Sequence, residues 1–334
     1  MKAAVLRKQN EPLALVELEL PDLSRGQVLV RVYRSGICGA QIGEIAGTKG
    51  PDSYLPHLIG HEGGGVVMNT GPGVTHVKMA DHVVLHWRKG EGIESVPPKY
   101  TARSGERIGG GWVTTFNEYA VVSENRLTPI PDDIPFEIAA LLGCAVTTGL
   151  GIVFNDADLQ AHQTIMIAGC GGVGLNVIQG AKLVGCSSII AVDPQNRKLG
   201  MAERFGATNF ASDILGIDRP SNNIDVFVDC TGDVGVIAYG YSISKKTILV
   251  GQPRTGECLT LPNMRGNYCG KILMDSQGGQ TNPTQDIPKY LDMYKAGDLD
   301  LDSLITDRFP LEDVNEALDL VRSGQSGRVI LEMD

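Results

Sequence analysis

The run Gly169-Cys170-Gly171-Gly172-Val173-Gly174 constrains this chain more than any other feature. It follows a short apolar run, residues 165–168, and precedes a helix-like segment, residues 175–184. A second apolar run, residues 188–192, ends in Asp193, nineteen positions after the last glycine. A G-x-G-x-x-G turn between strand and helix, with an acid about 20 residues further on, is the pattern of a dinucleotide-binding βαβ unit. Each residue type has a physical task. Gly169 permits the tight turn, Gly171 lets a pyrophosphate approach the backbone, and Gly174 lets helix and strand pack closely. The phosphates then meet free N–H groups at the helix N-terminus. Asp193 can accept from a ribose diol and repels a 2′-phosphate, which favours NAD over NADP; Arg197, just downstream, is the one local feature leaning the other way. With 42 glycines a chance match is easy, and an ordinary βαβ crossover is the plain alternative. Strand, helix and acid at the right offsets favour the dinucleotide reading.

The 334 residues suggest two domains, at roughly 100–200 residues each. Hydrophobic residues make up 42%, enough to bury full cores. No run approaches the ~20 apolar residues of a membrane span, and the N-terminal apolar stretch is too short for a secretory signal. The expectation is a cytoplasmic protein without membrane contact. The formal charge is −10 and no basic block stands out, so nucleic acid is not an expected partner. The seven cysteines, at 38, 144, 170, 186, 230, 258 and 269, are odd in number and lack paired spacing. That argues for reduced thiols, a few of them chemical, over a disulfide framework.

Two regimes divide the chain. Residues 3–6, 13–18, 27–33, 64–68 and 82–85 are short β-rich runs separated by Pro, Gly and Asp. Their spacing suggests a small barrel or sandwich. From about residue 164 strands (164–168, 188–192, 225–229, 247–250) alternate with helices (173–184, 197–205 and near 234–243), which means a parallel sheet covered on both faces. Helical stretches at 287–296 and 311–323 then precede a terminal strand, 328–333. The fold class expected is α/β: a Rossmann doubly wound parallel sheet plus a mainly β catalytic domain. The expected boundaries are 1–145 for the first part of the catalytic domain, 146–275 for the nucleotide-binding domain, and 276–334 for the return to the catalytic domain.

Cys38, His61 and Cys144 offer two thiolates and an imidazole, the three-ligand set of a catalytic zinc with one position open. They lie far apart in sequence, so spacing alone proves nothing. Each also has a plain reading, a buried thiol or a surface His beside Glu62.

Residues 60–74, reading GHEGGGVVMNTGPGV, resemble the G-H-E-x-x-G-x5-G-x-x-V signature of zinc-containing alcohol dehydrogenases, a branch of the medium-chain dehydrogenase/reductase family. Gly36-Ile37-Cys38-Gly39 is similar to the family's first ligand motif, and Gly143-Cys144 with Thr147-Thr148-Gly149 to its third. The glycine turn, Arg204-Phe205-Gly206-Ala207-Thr208 and the tail from Phe309 through Arg328 complete a resemblance over nearly the whole chain. It implies a GroES-like catalytic domain, a zinc held by Cys38, His61 and Cys144, and Glu62 as a carboxylate beside them or an occasional ligand. It implies that Thr148 contacts the nicotinamide ring, that Val250 contacts the cofactor, that Gly169, Gly171, Gly172, Val173 and Gly174 form the phosphate turn, that Asp193 and Lys198 hold the adenosine ribose, and that Arg328 neutralises pyrophosphate. The implied activity is hydride transfer between a primary or secondary alcohol and NAD, with zinc as Lewis acid, in a homodimer or homotetramer.

Three departures from the family pattern matter. Ala40 stands where many relatives carry a Ser or Thr that relays the alcohol proton. Gln41 stands where an Asp usually orients the zinc-bound histidine; its amide oxygen is expected to accept the imidazole N–H without adding charge. No cysteine lies between His86 and Asn117, where relatives often carry a four-cysteine lobe, so one catalytic zinc and no structural zinc is expected. Trp87, Arg88 and Lys49 fall where a polar, cationic pocket rim is expected, suited to a polyol, sugar derivative or hydroxy acid; a solvated loop is the plain alternative. Two rival functions stand beside this reading. One is a zinc-free quinone or enoyl reductase of the same superfamily. The other is a non-catalytic dinucleotide-binding protein.

Overall fold

A computed structural model describes residues 1–214, 224–261 and 270–333. Cys269 lies outside the described residues. In chain order the first stretch carries β1 (Lys2–Leu6), β2 (Ala14–Glu19), β3 (Gln27–Ile37), α1 (Gly39–Ile45), β4 (His57–Leu58), β5 (Glu62–Thr70), β6 (His82–His86), β7 (Lys99–Ala102), β8 (Arg107–Gly109), β9 (Tyr119–Ser123), β10 (Leu127–Ile130) and α2 (Phe136–Leu142). The middle stretch carries α3 (Ala145–Gly151), β11 (Thr164–Ala168), α4 (Gly172–Val184), β12 (Ser188–Val192), α5 (Asn196–Phe205), β13 (Asn209–Ala211), β14 (Ile224–Asp229), α6 (Val234–Ile243), β15 (Ser244–Leu249) and β16 (Ile272–Asp275). The last stretch carries α7 (Pro283–Lys295), β17 (Ile305–Pro310), α8 (Val314–Arg322) and β18 (Arg328–Glu332).

The chain divides into two compact units. The first holds residues 1–144, 282–297 and 301–334; the second holds 145–281 and 298–300. In the first unit β1, β2, β7, β8 and β4 close a barrel, and a second sheet runs β10-β6-β5-β3-β18-β17 with β9 also paired to β3. The barrel is filled by Val5, Leu18, Leu58, Tyr100, Ile108 and Val121. The Tyr100 hydroxyl accepts from the Val121 N–H at 2.9 Å, so the ring fills the core with its polar end satisfied. The C-terminal strand β18 joins the same sheet antiparallel to β3, with Val329 opposite Ile37. That pairing brings Arg328 next to the segment that ends at Cys38.

In the second unit the sheet order is β13-β12-β11-β14-β15-β16, and every pair in it is parallel. Numbered by occurrence this is 3-2-1-4-5-6, the doubly wound order. β11, reading Thr-Ile-Met-Ile-Ala, is buried from its second residue on, as a strand covered on both faces must be. α4 and α5 end at Gly185 and Gly206, both left-handed, which closes each helix before the next strand. α6 begins at Asp233, whose carboxylate accepts from the N–H groups of Gly235 and Val236.

The strands and helices expected in the second unit are all present, most within a residue or two at each end. The β-rich first stretch also holds two helices that its composition hides. α1 contains two glycines in seven residues and α2 is only seven long, so neither carries a full periodic signal. Among the described residues no single helix is long and apolar enough to cross a membrane.

Candidate active site

The three candidate ligands sit at element boundaries of the first unit. Cys38 ends β3 and is the residue before α1. His61 lies between Gly60 and β5, where the backbone turns through a left-handed glycine. Cys144 follows the end of α2 and is buried. One donor atom from each lies within 4.8 Å of the others. The Nε2 of His61 is buried and has no hydrogen-bond partner among the described residues; burial pushes the pKa of the ring down, and the Cys38 sulfur outweighs that and raises it. The hydrogen bond from the Cys144 thiol holds Cys38 well below the usual thiol range, against the upward push of burial. The same bond, together with burial, holds Cys144 well above it. Two converging sulfurs, one leaning to thiolate, and an unspent imidazole nitrogen form a donor set that fits zinc. No disulfide ties the six described cysteines.

Gln41 acts differently from expectation. Its Oε1 accepts from the Cys38 N–H at 2.8 Å, and its amide nitrogen faces Nδ1 of His61. The oxygen keeps a second lone pair, but the amide nitrogen is the atom set against Nδ1, so the expected hydrogen bond from the imidazole N–H to the oxygen is not made.

Glu62 is fully buried at the start of β5, and its Oε1 forms an ion pair with Arg328. Burial pushes this carboxyl up, and the Arg328 charge works against that push. Its Oε2 has no hydrogen-bond partner among the described residues. The pair lies over Gly36: a Cβ there would come within 2.8 Å of both the guanidinium and the carboxyl carbon. Sequence reading assigned Arg328 to the pyrophosphate and did not foresee its partner. The two residues are separated by 266 positions, and nothing local in the sequence joins them.

In the second unit Gly169 adopts φ +92°, and a Cβ on Gly174 would lie 2.0 Å from the Gly169 carbonyl oxygen. Only glycine fits that crossing. A Cβ on Gly171 would meet nothing within 4 Å, which leaves open space beside the turn. α4 has no side-chain cap, so the N–H groups of Gly172, Val173 and Gly174 head the helix without one. Asp193, buried at the end of β12, accepts from the Cys170 N–H and the Gln195 N–H, each at 2.9 Å. It braces the glycine turn from below, a task the sequence did not reveal. Lys198 is half-buried on the first turn of α5, and Val250 follows β15 half-buried. Thr148 is buried on α3, which packs on α4 at Gly149, where a Cβ would lie 2.5 Å from Asn176.

The stretch where relatives often carry four cysteines is held by other means. Glu124 accepts from the backbone N–H groups of Thr75, His76 and Ile93. Arg126 donates to the Trp87 carbonyl, pairs with Glu94 at 2.9 Å and stacks over the Trp112 ring at 5.6 Å. His86 is buried and donates from Nδ1 to the Arg88 carbonyl, which fixes the turn after β6. Trp87 packs on the core of the unit, and the Arg88 guanidinium lies 5.8 Å from its ring centroid. Lys49 is exposed on the loop after α1.

Two family models match the chain: "Alcohol dehydrogenase GroES-like domain" over residues 24–132 and "Zinc-binding dehydrogenase" over residues 172–294. Among curated relatives, alcohol dehydrogenase class-3 of Cereibacter sphaeroides is 32% identical over 99% of each chain. S-(hydroxymethyl)glutathione dehydrogenase of Paracoccus denitrificans is 30% identical over the same shares. Among solved structures, benzyl alcohol dehydrogenase from Acinetobacter calcoaceticus superposes with a TM-score of 0.89 at 23% identity, covering 100% of this chain and 99% of the other. Alcohol dehydrogenase TADH from Thermus sp. ATN1 gives 0.84 at 21%, over the full length of both. At such identities the two structures speak for the fold.

Proposed function

The chain belongs to the zinc-containing alcohol dehydrogenase branch of the medium-chain dehydrogenase/reductase family, and we propose that it oxidises a polar, hydroxylated alcohol with NAD through one zinc held by Cys38, His61 and Cys144. The observation that carries the reading is the meeting of two thiols and an unbonded imidazole nitrogen within 4.8 Å. The overall change takes an alcohol and NAD+ to a carbonyl, NADH and a proton. A zinc ion bound there supplies Lewis acidity, which makes the substrate hydroxyl a stronger acid near neutral pH.

The chain's own residues supply position and charge. Gln41 holds the Cys38 backbone, and its amide nitrogen lies against the His61 ring. Glu62 and Arg328 place a neutralised, buried ion pair beside the donors, with one carboxylate oxygen unspent. Arg328 retains further N–H donors, so a pyrophosphate contact is compatible with the pair. In the second unit the head of α4 receives the phosphates. Asp193 accepts the ribose hydroxyls with lone pairs its two backbone bonds leave over, Lys198 on the first turn of α5 binds the same ribose, Thr148 contacts the nicotinamide ring, and Val250 contacts the cofactor.

Ala40 carries no hydroxyl, so the proton does not leave by way of that side chain. A substrate with a neighbouring hydroxyl hands it on instead. Arg88, half-buried after β6, and Lys49, exposed on the loop after α1, are the cations on which we base a preference for polyols, sugar derivatives or hydroxy acids; relatives named for S-(hydroxymethyl)glutathione, a charged hydroxymethyl adduct, fit the same preference. A panel of such alcohols, followed by NADH absorbance with zinc content measured alongside, tests the proposal. NADH formation that requires zinc supports it. Equal turnover by zinc-free protein overturns it.

A further inference from the structure

A second group of donors converges in the first unit, on elements other than those carrying Cys144. Glu44 lies on α1, Asp52 on the loop after it, and His57 begins β4. One donor atom from each falls within 4.8 Å of the others. The Nε2 of His57 is 2.8 Å from Oδ2 of Asp52 and 3.9 Å from Oε1 of Glu44. Donors about 2.1 Å from one ion stand about 3–3.5 Å apart, so these separations bracket the spacing a shared ion requires.

The hydrogen bonds around His57 fix its tautomer. Nδ1 of His57 faces the Leu58 carbonyl oxygen at 2.6 Å, and a carbonyl only accepts, so Nδ1 carries the proton. Nε2 lies 2.8 Å from Oδ2 of Asp52, a hydrogen bond when that nitrogen carries a second proton and a shared-ligand spacing when a cation takes the proton's place. A second ring proton supplies one charge against two carboxylates and leaves the cluster negative. A divalent cation neutralises it completely.

The donors are also held in place from behind. Oδ1 of Asp52 accepts from the Tyr54 N–H at 2.8 Å, which leaves Oδ2 for the cluster. Gln9 holds the backbone on either side of that loop, donating to the Gly50 carbonyl and accepting from the Asp52 N–H. The His57 and Asp52 side chains are 11% and 12% exposed, whereas that of Glu44 is 39% exposed. The cluster is thus buried at His57 and Asp52 and reaches solvent at Glu44.

We propose that Glu44, Asp52 and His57 form a second, oxygen-rich site for a divalent first-row cation, separate from the two-thiol centre. One nitrogen and two carboxylates suit manganese or zinc, and the absence of sulfur separates its preference from that of the Cys38–His61–Cys144 set. The site bridges the helix that follows the first ligand, Cys38, and the strand that leads to the second, His61. Filling it ties that connection down.

The test uses zinc-loaded enzyme titrated with manganese chloride, the free Mn2+ being read by its EPR signal. The wild type is expected to take up one Mn2+ per chain and to melt at higher temperature when it does. His57→Gln is expected to bind at least ~10-fold more weakly, a change of about 1.4 kcal/mol, and to lose the thermal shift. Glu44→Gln, at the exposed rim, weakens uptake less and guards against a fold defect in the first variant. Both variants should keep their zinc and their alcohol-dependent NADH formation, so failure here is separable from failure of the dehydrogenase reading. Equal Mn2+ uptake by the wild type and both variants, or none by the wild type, overturns the site.

Discussion

Gln41 lies against two of the three proposed metal ligands, Cys38 and His61. It gives its only amide oxygen to Cys38 and its nitrogen to His61. An imidazole that binds metal through Nε2 carries its proton on Nδ1 and needs an acceptor there. Gln41→Glu keeps the length and supplies two acceptor oxygens, one for each donor. Its zinc affinity, measured by competition with a chelator, is expected to rise by about 10-fold, within the range such supporting partners command. Unchanged or weaker affinity would refute the acceptor shortage. Asp193 is a second such residue: it accepts from the Cys170 and Gln195 N–H groups at the turn, and we propose that it takes the ribose as well. Asp193→Ala is expected to raise the KM for NAD by ~10-fold or more, about 1.4 kcal/mol for lost charged hydrogen bonds. The KM for NADP should change less, so the gap between the cofactors narrows. A wild-type preference for NADP would contradict this.

At the scale of elements, the stretch after β6 depends on buried polar groups whose charge states are set by folding. Burial pushes His86 down to about 4, and the backbone acceptors around it do not offset that. A free histidine titrates near 6.5, so the folded protein holds the ring neutral where the unfolded chain protonates it. Stability from this group is complete above about 6.5 and is lost as pH falls toward 4, about 3 kcal/mol in all. Burial also pushes Glu124 up, but three backbone N–H donors outweigh it and hold the carboxyl low, so its contribution fades in acid too. Thermal melting between pH 7 and 4.5 should therefore fall more steeply for wild type than for His86→Gln. Parallel curves would refute the role of His86. None of this was legible in the sequence. Alternating strand and helix announced the doubly wound sheet, and Gly169, Gly174 and Asp193 stood at telling offsets along one continuous segment. The Glu62–Arg328 pair, the Glu124 clamp and the His57 cluster join residues whose neighbours are chosen by β pairing and loop closure. Local periodicity carries no trace of such partners. The short helices α1 and α2 were hidden for a related reason: tertiary packing, not propensity, makes them helices.

For the whole molecule, the proposed chemistry is divided by unit: the proposed metal donors Cys38, His61 and Cys144 belong to the first and the Gly169–Gly174 turn to the second. The resemblance told in GHEGGGVV was enough to name the family, because widely separated ligands are recognisable only by their motifs. Substrate choice is the property least written there. Arg88 and Lys49 predict that polyols or hydroxy acids exceed ethanol by at least ~10-fold in kcat/KM, since one good polar contact is worth about 1.4 kcal/mol. Comparable values for ethanol would contradict a polar site. The most direct test of the central claim is the zinc content of Cys144→Ser after dialysis into metal-free buffer, read beside its alcohol-dependent NADH formation. Wild type should retain one zinc per chain, and the variant should lose both zinc and turnover while its dinucleotide-binding unit still binds NADH. A variant that keeps its zinc and its activity would contradict the assignment of Cys38, His61 and Cys144 as the catalytic metal ligands.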